Sequence, residues 1–244
     1  AHASTAGMAA YLPAVCGFLI KKEITVMGQA MEAPEHPFVA ILGGAKVSEK
    51  LLLIDKLMET HCDSILVLGG MSYTFQKALG GSIGDSLCDD KLLYEMNVLM
   101  SKARKLGVNL MIPVDNVVAN RFSNDADTNI VSSGDIPDGW MGMDIGPRTI
   151  DIYTGIIERA RTVVWNGPAG VFEMPKFAEG TRAIATAVAH SKGVSIIGGG
   201  DSAAAIDQLG FSRRVTHIST GGGASLEFLQ GLELPGIACL EDAD

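Results

Sequence analysis

The placement of glycine constrains the fold of this chain more than any other feature of its sequence. Of 29 glycines, 12 belong to five clusters, and each cluster follows a short run of aliphatic and β-branched residues. The clusters are Gly43-Gly44, Gly69-Gly70, Gly167 with Gly170, Gly198–Gly200 and Gly221–Gly223. A strand that ends in glycine and leads into a helix is the repeating unit of an α/β sheet. We therefore expect these five loops to line one edge of a single sheet.

Six runs in the sequence are nearly continuous in apolar character, which is typical of parallel strands covered on both faces. They are Phe38–Leu42, Ser64–Leu68, Asn109–Ile112, Thr162–Trp165, Val194–Ile197 and Val215–Ile218. Amphipathic stretches typical of helices follow at Lys46–His61, Met71–Leu79, Asp90–Leu106, Lys176–Ser191, Ser202–Leu209 and Ala224–Gln230. The alternation predicts a Rossmann-like, doubly wound parallel α/β sheet of about six strands, whose ligands bind at the carboxyl ends of the strands.

Two segments lie outside this repeat. Tyr11–Glu32 predicts a helix before the first strand, and Ser4–Tyr11 predicts a shorter helix at the start of the sequence. Residues 120–150 are rich in Asn, Asp, Ser, Gly and Pro, so we expect a long excursion with little regular structure there. Because the chain begins at Ala1 inside a predicted helix, we expect it to be part of a longer protein.

The composition limits what the chain can bind. Apolar residues make up 47% of it and charged residues 19%, which is ordinary for a globular protein and excludes disordered, coiled-coil and collagen-like chains. The formal net charge is -9, so we expect neither a nucleic-acid partner nor a membrane partner, and an anionic ligand would have to be held locally.

The cysteines and the start of the chain bear on its location. Cys16, Cys62, Cys88 and Cys239 are far apart and form no C-x-x-C pair, so they predict neither a zinc site nor a disulfide framework. We expect buried thiols in a reducing compartment. The apolar run Leu12–Ile20 is too short to span a bilayer and has no basic segment before it, and we expect a cytoplasmic protein.

The glycine clusters are candidates for binding phosphate. Glycine permits positive φ and close backbone approach, and the helix that begins behind each loop favours negative charge. Tight turns between strands and helices also favour glycine, which would explain one pair but explains five clusters at one edge less well. The common nucleotide-binding motifs are absent: the sequence has no G-x-x-x-x-G-K-[ST], no G-x-G-x-x-G after a strand, and no H-R-D or D-F-G element.

Two lysines follow the first glycine cluster. Lys46 and Lys50 are one helical turn apart, so both ammonium groups would project from the same face near the positive end of a helix. The helix dipole disfavours lysine there by roughly a few tenths of a kcal/mol, a cost that phosphate binding would offset. The alternative is a solvated lysine face with Glu49 as a neighbour.

Other polar residues near the clusters have both a structural and a functional explanation. Asp201 is either a helix N-cap or a carboxylate that approaches Mg²⁺ on nucleotide phosphates, because Mg²⁺ commonly takes one carboxylate together with waters and phosphate oxygens. Glu173 either accepts a ribose hydroxyl or faces water. The five histidines offer no credible general base or metal site, and we expect His217 to be a hydrogen-bonded core residue.

Four strings of residues, in this order along the chain, resemble signatures of the phosphoglycerate kinase family. They are Leu42-Gly43-Gly44-Ala45-Lys46-Val47, Trp165-Asn166-Gly167-Pro168 leading to Val171-Phe172-Glu173, Ile197-Gly198-Gly199-Gly200-Asp201-Ser202, and Ser219-Thr220-Gly221-Gly222-Gly223-Ala224-Ser225. Pro113-Val114-Asp115 and Gly139–Asp144 in the excursion also fit the family. The resemblance covers essentially the whole chain.

The resemblance implies a glycolytic reaction in which 1,3-bisphosphoglycerate and Mg-ADP give 3-phosphoglycerate and ATP, in a cleft between two Rossmann-like domains. The nucleotide would lie on the part represented here, and phosphoglycerate on a basic N-terminal domain that is missing. Residues 1–32 would contain the end of that domain and the interdomain helix, residues 33–231 the nucleotide-binding domain, and residues 232–244 a C-terminal tail. The family also implies a monomer.

The resemblance implies roles for individual residues as well. Lys46 would contact the migrating phosphoryl group, and the backbone amides of Gly199 and Gly222 would complete the catalytic contacts. The Mg-ADP or Mg-ATP site would consist of Gly44, Ala45, Lys50, Gly142, Met143, Asn166, Pro168, Val171, Glu173, Gly199, Gly200, Asp201 and Ser202. Within it, Lys50 would hold phosphate, Glu173 the ribose and Asp201 the Mg²⁺, while Gly142, Met143 and Val171 would contact the adenine. His2 would lie near the phosphate of phosphoglycerate.

The implied reaction suits a site without a general base, since a phosphoglycerate carboxylate or an ADP phosphate is already ionised at neutral pH. What remains is positioning and charge neutralisation, which lysines, Mg²⁺ and backbone amides supply. Two residues depart from the family pattern. Leu68 stands where a glycine is frequent, which would alter the adenine wall, and Ser202 stands where threonine is common.

We therefore expect this chain to bind nucleotide and to show negligible phosphoryl transfer by itself. Two other functions remain open. A nicotinamide-dependent oxidoreductase would need an acidic residue at the end of the second strand, where Gly69 follows instead. A non-catalytic adenine-nucleotide sensor would be favoured if the complete gene encodes no partner domain.

Overall fold

The computed structural model describes residues 1–241 of the chain. Within them lie eleven strands and nine α-helices. The strands are β1 (Phe38–Leu42), β2 (Ser64–Val67), β3 (Ser82–Ile83), β4 (Asn109–Met111), β5 (Asp115–Ala119), β6 (Thr128–Ser132), β7 (Asp135–Ile136), β8 (Met141–Ile145), β9 (Thr162–Asn166), β10 (Val194–Gly198) and β11 (His217–Ile218). The helices are α1 (Phe18–Glu32), α2 (Leu51–Glu59), α3 (Met71–Ala78), α4 (Leu93–Leu106), α5 (Pro147–Ile157), α6 (Glu179–His190), α7 (Gly200–Gln208), α8 (Gly223–Leu229) and α9 (Pro235–Ala238).

The central sheet has six strands in the order β4-β2-β1-β9-β10-β11, and every neighbouring pair is parallel. The chain begins in the middle of the sheet, moves outward to β4 and then returns to add β9, β10 and β11 on the other side of β1. The strand order therefore reverses between β1 and β9, and ligands of doubly wound sheets bind at such a reversal. The predicted Rossmann-like sheet is confirmed.

Both faces of this sheet are covered, as the continuous apolar runs predict. In β1, Phe38, Ala40 and Leu42 belong to one core cluster, while Val39 and Ile41 belong to another on the opposite face. Side chains of α1, α2 and α4 complete the first cluster, and those of α5, α6 and α7 complete the second. All five β1 residues are fully buried, because alternate side chains of a strand point to opposite faces.

The prediction that residues 120–150 have little regular structure is wrong. This region contributes β6, β7, β8 and the first turn of α5, and β6-β5-β8 form a three-stranded antiparallel sheet. A second, two-stranded sheet pairs β3 with β7. β6 is mostly exposed, and β8 carries Gly142 and Asp144 among apolar residues, so neither strand shows the periodicity of a buried strand.

Several element boundaries also differ from the predictions. The helix expected from Lys46 is a 3₁₀ turn over Ser48–Lys50 that continues into α2 from Leu51. The helix expected over Tyr11–Glu32 begins at Phe18, and the short one at the start is a 3₁₀ turn over Ala6–Ala10. Of the predicted strand Val215–Ile218, only the last two residues pair with β10.

The prediction of four buried thiols is wrong for three of them. Cys62 is buried, whereas Cys16 is exposed and Cys88 and Cys239 are half-buried. Cys62 lies between α2 and β2, where the core closes over it, while Cys16 precedes α1 on the surface. Within residues 1–241 no helix is long and apolar enough to cross a membrane.

Candidate functional site

The loops that follow β1 and β9 touch each other at the carboxyl edge of the sheet. The Gly43 N–H donates to the Asn166 carbonyl oxygen at 2.9 Å, and the Gly44 N–H donates to the Pro168 carbonyl oxygen at 3.1 Å. A Cβ on Gly43 would lie 2.6 Å from the carbonyl oxygen of Gly167, closer than real side chains come to backbone. Glycine is required here because the two loops are pressed together, and the switch point of the sheet is built from that contact.

A cavity of about 460 Å³ opens beside these loops, and we call it the larger cavity. Its lining comes from the loops after β1, β2, β5 and β9, from β8, from the segment before α4, and from the first turns of α3 and α7. The residues are Gly44, Ala45, Gly69, Gly70, Tyr73, Asp85, Ser86, Leu87, Phe122, Met141, Gly142, Met143, Pro168, Ala169, Gly170, Val171, Glu173 and Asp201. Most of them present backbone or apolar atoms, so the larger cavity is suited to a flat, largely apolar group.

Close packing fixes the wall of the larger cavity. The Gly142 N–H donates to the Ser86 hydroxyl at 2.9 Å, and the buried ring of Tyr73 packs so tightly on Gly142 that no side chain would fit there. The Val171 N–H donates to the Met143 carbonyl oxygen at 2.9 Å, which joins the loop after β9 to β8. The three residues that the family resemblance assigns to the adenine are therefore brought together.

A second cavity of about 250 Å³, the smaller cavity, continues from the first. The two share Gly44, Ala45, Pro168 and Asp201. The rest of its lining is Lys46, Glu49, Lys50, Asn166, Gly167, Gly199 and Gly200. Its lining is more polar than that of the larger cavity and combines two lysines, two carboxylates and glycine loops. The lysines and the backbone amides of those loops make this end suited to an anion.

The two predicted lysines both border the smaller cavity but differ in environment. Lys50 is 9% exposed, and burial lowers the pKa of its ammonium group, although the carboxylates of Glu49 and Asp201 act in the opposite direction. The Lys46 side chain is 72% exposed and its ammonium lies 3.2 Å from the Glu49 carboxylate. The spacing in the sequence predicts that both lysines lie on the same face of one helix. They do not, because α2 begins only at Leu51, so Lys46 precedes the helical segment and Lys50 lies in a 3₁₀ turn.

Helix α7 begins at the smaller cavity. Its first backbone hydrogen bond runs from the Ala203 N–H to the Gly199 carbonyl oxygen, at 3.1 Å, so the N–H groups before Ala203 have no partner within the helix. Gly199 has a φ of +87°, a conformation that glycine adopts without strain. The Ser202 hydroxyl is fully buried and accepts the Gly167 N–H at 2.7 Å. That hydroxyl therefore joins α7 to the loop after β9 and does not line either cavity.

Asp201 is exposed and borders both cavities in the first turn of α7. No cluster of three or more His, Cys, Asp or Glu side chains that could hold a metal occurs within residues 1–241. One carboxylate beside an anion cavity fits Mg²⁺ that is held chiefly by ligand phosphates, and it does not fit a metal site made of protein ligands alone. Glu173, also exposed, lines the larger cavity.

Three sequence expectations lie outside the cavities. Gly222 is exposed at the start of α8, beyond β11, and lines neither of the two cavities. His2 is also exposed, and its Nδ1 lies 2.7 Å from the hydroxyl of Ser4. Leu68, expected to alter the adenine wall, is fully buried in the core with Leu66 and does not line the larger cavity.

Sequence reasoning missed a buried network next to the Gly221–Gly223 loop. His217 is a hydrogen-bonded core residue, as expected, and its partner is Glu23 of α1, with 2.8 Å between Nε2 and Oε2. The same carboxylate accepts the Ser219 hydroxyl at 2.8 Å and the Thr220 N–H at 2.9 Å. No local pattern signals this contact, because Glu23 and His217 are 194 positions apart.

An apolar cavity that continues into a cationic, amide-lined cavity at the switch point of a doubly wound sheet is typical of nucleotide-binding α/β proteins. The family model for phosphoglycerate kinase matches residues 1–232. A phosphoglycerate kinase of Clostridium tetani is 53% identical over 243 residues, which cover 99% of this chain and 60% of that protein. The chain thus spans about 60% of the length of the curated relatives that it matches.

Solved structures agree with the sequence comparison. The structure of phosphoglycerate kinase from Coxiella burnetii superposes with a TM-score of 0.93 at 43% identity, covering 98% of this chain and 62% of that one. The Pyrococcus horikoshii phosphoglycerate kinase superposes with a TM-score of 0.83 at 32% identity, covering 97% and 60%. The chain belongs to the phosphoglycerate kinase family.

Proposed function

We propose that this chain binds Mg-ADP and Mg-ATP across the two cavities and contributes the nucleotide side of a phosphoryl transfer. The complete reaction would convert 1,3-bisphosphoglycerate and ADP into 3-phosphoglycerate and ATP. One observation carries the proposal: the larger and smaller cavities meet at Gly44, Ala45, Pro168 and Asp201, so one ligand with an apolar ring and an anionic tail can fill both. Family membership supports the same reaction.

The residue roles follow from the chemistry of each cavity. The base would lie against Gly142, Met143 and Val171, where the wall is apolar and its backbone is already hydrogen-bonded. The phosphates would lie in the smaller cavity, against the residues that supply positive charge or N–H groups. These are Lys46, Lys50, Asn166, Gly199, Gly200 and the amide of Asp201, with Gly44, Ala45 and Pro168 forming the junction. Ser202 would act from behind the cavity, because its buried hydroxyl holds the Gly167 N–H. Glu173 would accept a ribose hydroxyl at the larger cavity.

Bound Mg²⁺ would neutralise charge on the nucleotide phosphates. Asp201 is the residue that would approach it, since its carboxylate borders both cavities. Two lysines would add positive charge: Lys50, which is buried beside the proposed phosphate position, and Lys46, which is exposed at the edge of the smaller cavity. No general base is needed, since the attacking carboxylate or phosphate is ionised at neutral pH.

Phosphoglycerate binding is proposed for residues that lie outside this sequence, in the part of the relatives that it does not span. We accordingly propose that the chain alone transfers phosphoryl groups at a negligible rate. In the completed site, the amides near Gly222 would reach the transferring group, and His2 would lie near the substrate phosphate. The monomeric state, the cytoplasmic location and the division at residues 32 and 231 are proposed from the family resemblance.

Calorimetric titration of the chain with adenosine, inorganic pyrophosphate and Mg-ADP tests the assignment. Adenosine alone and pyrophosphate alone should each bind weakly, and Mg-ADP should bind at a ratio of one per chain with higher affinity than either. Titration with NADH is the control for the oxidoreductase alternative. Tight NADH binding without ADP binding would overturn the proposal, and a coupled assay with turnover close to that of a two-domain kinase would overturn the claim of negligible transfer.

A further inference from the structure

A buried carboxylate lies directly behind the wall of the larger cavity. Asp144 follows Met143 in β8, is 2% exposed, and lines neither cavity. The proposed function gives it no part. A carboxyl group in the interior is costly unless its oxygens are hydrogen-bonded, so its position needs a physical reason.

The Asp144 carboxylate contacts β8, the loop after β9 and helix α6. Its Oδ2 accepts the N–H of Gly180, in the first turn of α6, at 2.8 Å, and its Oδ1 accepts the N–H of Ile145 at 2.8 Å. Gly170, in the loop after β9, lies against the same group, because a Cβ there would be 2.5 Å from the carboxyl carbon. Three segments therefore meet at one side chain: β8, the loop after β9 and the start of α6.

Two of those segments form the wall where the base would lie. Gly142 and Met143 belong to β8, and Val171 follows Gly170 in the loop. The Val171 N–H bond to Met143 joins them on the cavity side, and Asp144 fills the space between them on the opposite side. The two hydrogen bonds from Gly180 and Ile145 orient this carboxyl group, and its packing against Gly170 then sets how closely the loop approaches β8.

We propose that the ionised carboxylate of Asp144 is a positioning residue for the base, holding Met143 and Val171 at the separation that the larger cavity needs. The inference rests on the proposed function and deepens it. When the carboxyl takes up a proton, one oxygen becomes a donor and no longer accepts its backbone N–H as a carboxylate does. The Asp144 side chain then loses one of the two bonds that hold it against Gly170, the spacing of the wall changes, and affinity for the adenine group falls.

The charge state of Asp144 changes near neutral pH. Burial raises the pKa of Asp144 to about 7, although the N–H groups of Gly180 and Ile145 act in the opposite direction, and the carboxylate of Glu179 raises it further. Glu179 on α6 is itself paired with Arg182, whose Nη1 lies 2.6 Å away. Tyr73 faces the group from α3, and burial raises the pKa of that phenol, so it stays neutral in the same range.

The remaining elements around Asp144 place no further charge against it. Its partner in β5 is Val117, which carries none, and the loop after β9 meets it through Gly170. Glu173 is the nearest ionisable residue of that loop in sequence, and it is exposed on the larger cavity. We therefore attribute the expected pH dependence of adenine affinity to Asp144.

Adenosine is the probe for the test, because it lacks the phosphates that titrate near neutral pH. Its dissociation constant is measured by calorimetry at about pH 6 and about pH 8 for the wild-type chain, Asp144→Asn and Asp115→Asn. For a group with a pKa of about 7 the ionised fraction falls from roughly nine-tenths to roughly one-tenth over that range, so wild-type affinity should fall by up to about tenfold at the lower pH.

Asp115→Asn is the matched control. Asp115 is a second buried carboxylate of the same antiparallel sheet, and it accepts the N–H groups of Arg148 and Thr149, at the start of α5, at 3.0 and 2.8 Å. It lines neither cavity. This variant should keep the wild-type pH dependence, whereas Asp144→Asn should bind weakly at both pH values with no difference between them.

The wild-type measurement alone can refute the inference, even if Asp144→Asn does not fold. Equal wild-type affinity at the two pH values would overturn it and leave the proposed function intact. Wild-type pH dependence retained in folded Asp144→Asn would also overturn it. Absence of adenosine and Mg-ADP binding at both pH values would overturn the proposed function together with this inference.

Discussion

Replacing Glu23 by alanine tests whether one carboxylate attaches α1 to the loop that precedes α8. The Glu23 carboxylate accepts hydrogen bonds from His217 at 2.8 Å, from Ser219 at 2.8 Å and from the Thr220 N–H at 2.9 Å. Glu23, His217 and Ser219 are all buried, so water cannot readily replace the missing oxygens. The substitution removes every one of these bonds while leaving the donors in place.

The expected loss of stability can be worked out from these contacts. A hydrogen bond to a charged group contributes about 1.5–3 kcal/mol, and the loss of several such bonds from one buried carboxylate costs more than one bond but less than their sum. Ser219 keeps its hydroxyl contact with Ser225, and Thr220 is exposed and can bond to water, which places the cost at the lower end. We expect Glu23→Ala to lower the free energy of unfolding by about 3 kcal/mol, and Glu23→Gln, which keeps the shape and one acceptor, by about 1–2 kcal/mol.

Urea unfolding followed by far-ultraviolet circular dichroism measures both changes from the midpoint and slope. Glu32→Ala is the control, because Glu32 is exposed on the same helix and its loss should change stability by about 0.5 kcal/mol or less. A loss for Glu23→Ala as small as that of the control would refute the reasoning, since it would mean that the carboxylate attaches nothing.

The pH dependence gives an independent check on the same carboxylate. Burial would raise the pKa of Glu23, but the hydrogen bonds from His217, Thr220 and Ser219 outweigh it and hold the pKa below its ordinary value. The stabilisation is therefore present above the ordinary pKa and is lost as the pH falls through the lowered one. The stability difference between wild type and Glu23→Gln should stay constant near neutral pH and shrink on acidification, and a difference that grows would contradict the assignment.

Three further predictions concern the cavities and the thiols. Gly43→Ala should destabilise the chain by about 1–3 kcal/mol and weaken Mg-ADP binding, because its Cβ would meet the backbone of the loop after β9. Unchanged urea unfolding and an unchanged calorimetric affinity would contradict this. Lys50→Met should raise the calorimetric dissociation constant of Mg-ADP by about tenfold or more, because Lys50 is buried beside the smaller cavity. Lys46→Met, which changes an exposed lysine, should raise it by about threefold or less. Equal effects would show that the burial of Lys50 does not determine its contribution to affinity. Cys62 should be the last thiol to react with a disulfide reagent in the folded chain, because burial raises its pKa to about 12, and the exposed Cys16 should react far sooner; similar rates would refute the burial.

The central sheet could be predicted because its signals are local. A strand such as Phe38–Leu42 is buried on both faces, so every residue in it is apolar, and the glycines after it mark where the chain must turn close to another loop. The edge of the sheet at which these loops meet follows from that pattern alone. The β6-β5-β8 sheet carries weaker signals: β6 is mostly exposed and β8 contains Gly142 and Asp144, so its strands are stabilised by pairing partners that no local window contains.

The parts of the site that sequence reasoning missed depend on distant contacts. Only the family resemblance points to Gly142. The residue must be glycine because the ring of Tyr73, on α3, packs against it. Asp144 is bonded to Gly180, 36 positions along the chain. A sequence pattern can predict which residues reach the edge of the sheet, but tertiary packing decides which of them are buried, as Lys50 is, and which are exposed, as Lys46 is.

Lys50 shows how burial and charge combine in a chain whose net charge is -9. Burial lowers the pKa of Lys50, which means that its protein surroundings disfavour its charged form. A phosphate placed in the smaller cavity would stabilise that charged form and raise the pKa again, so binding recovers the free energy that burial costs. By reciprocity, phosphate affinity must fall as the pH rises far enough to deprotonate Lys50. Lys46 is paired with Glu49 on the surface, so its interaction with the same anion contributes less free energy. For the proposed nucleotide site, we therefore expect the desolvated cation at the switch point to matter more for anion affinity than the net charge of the surface.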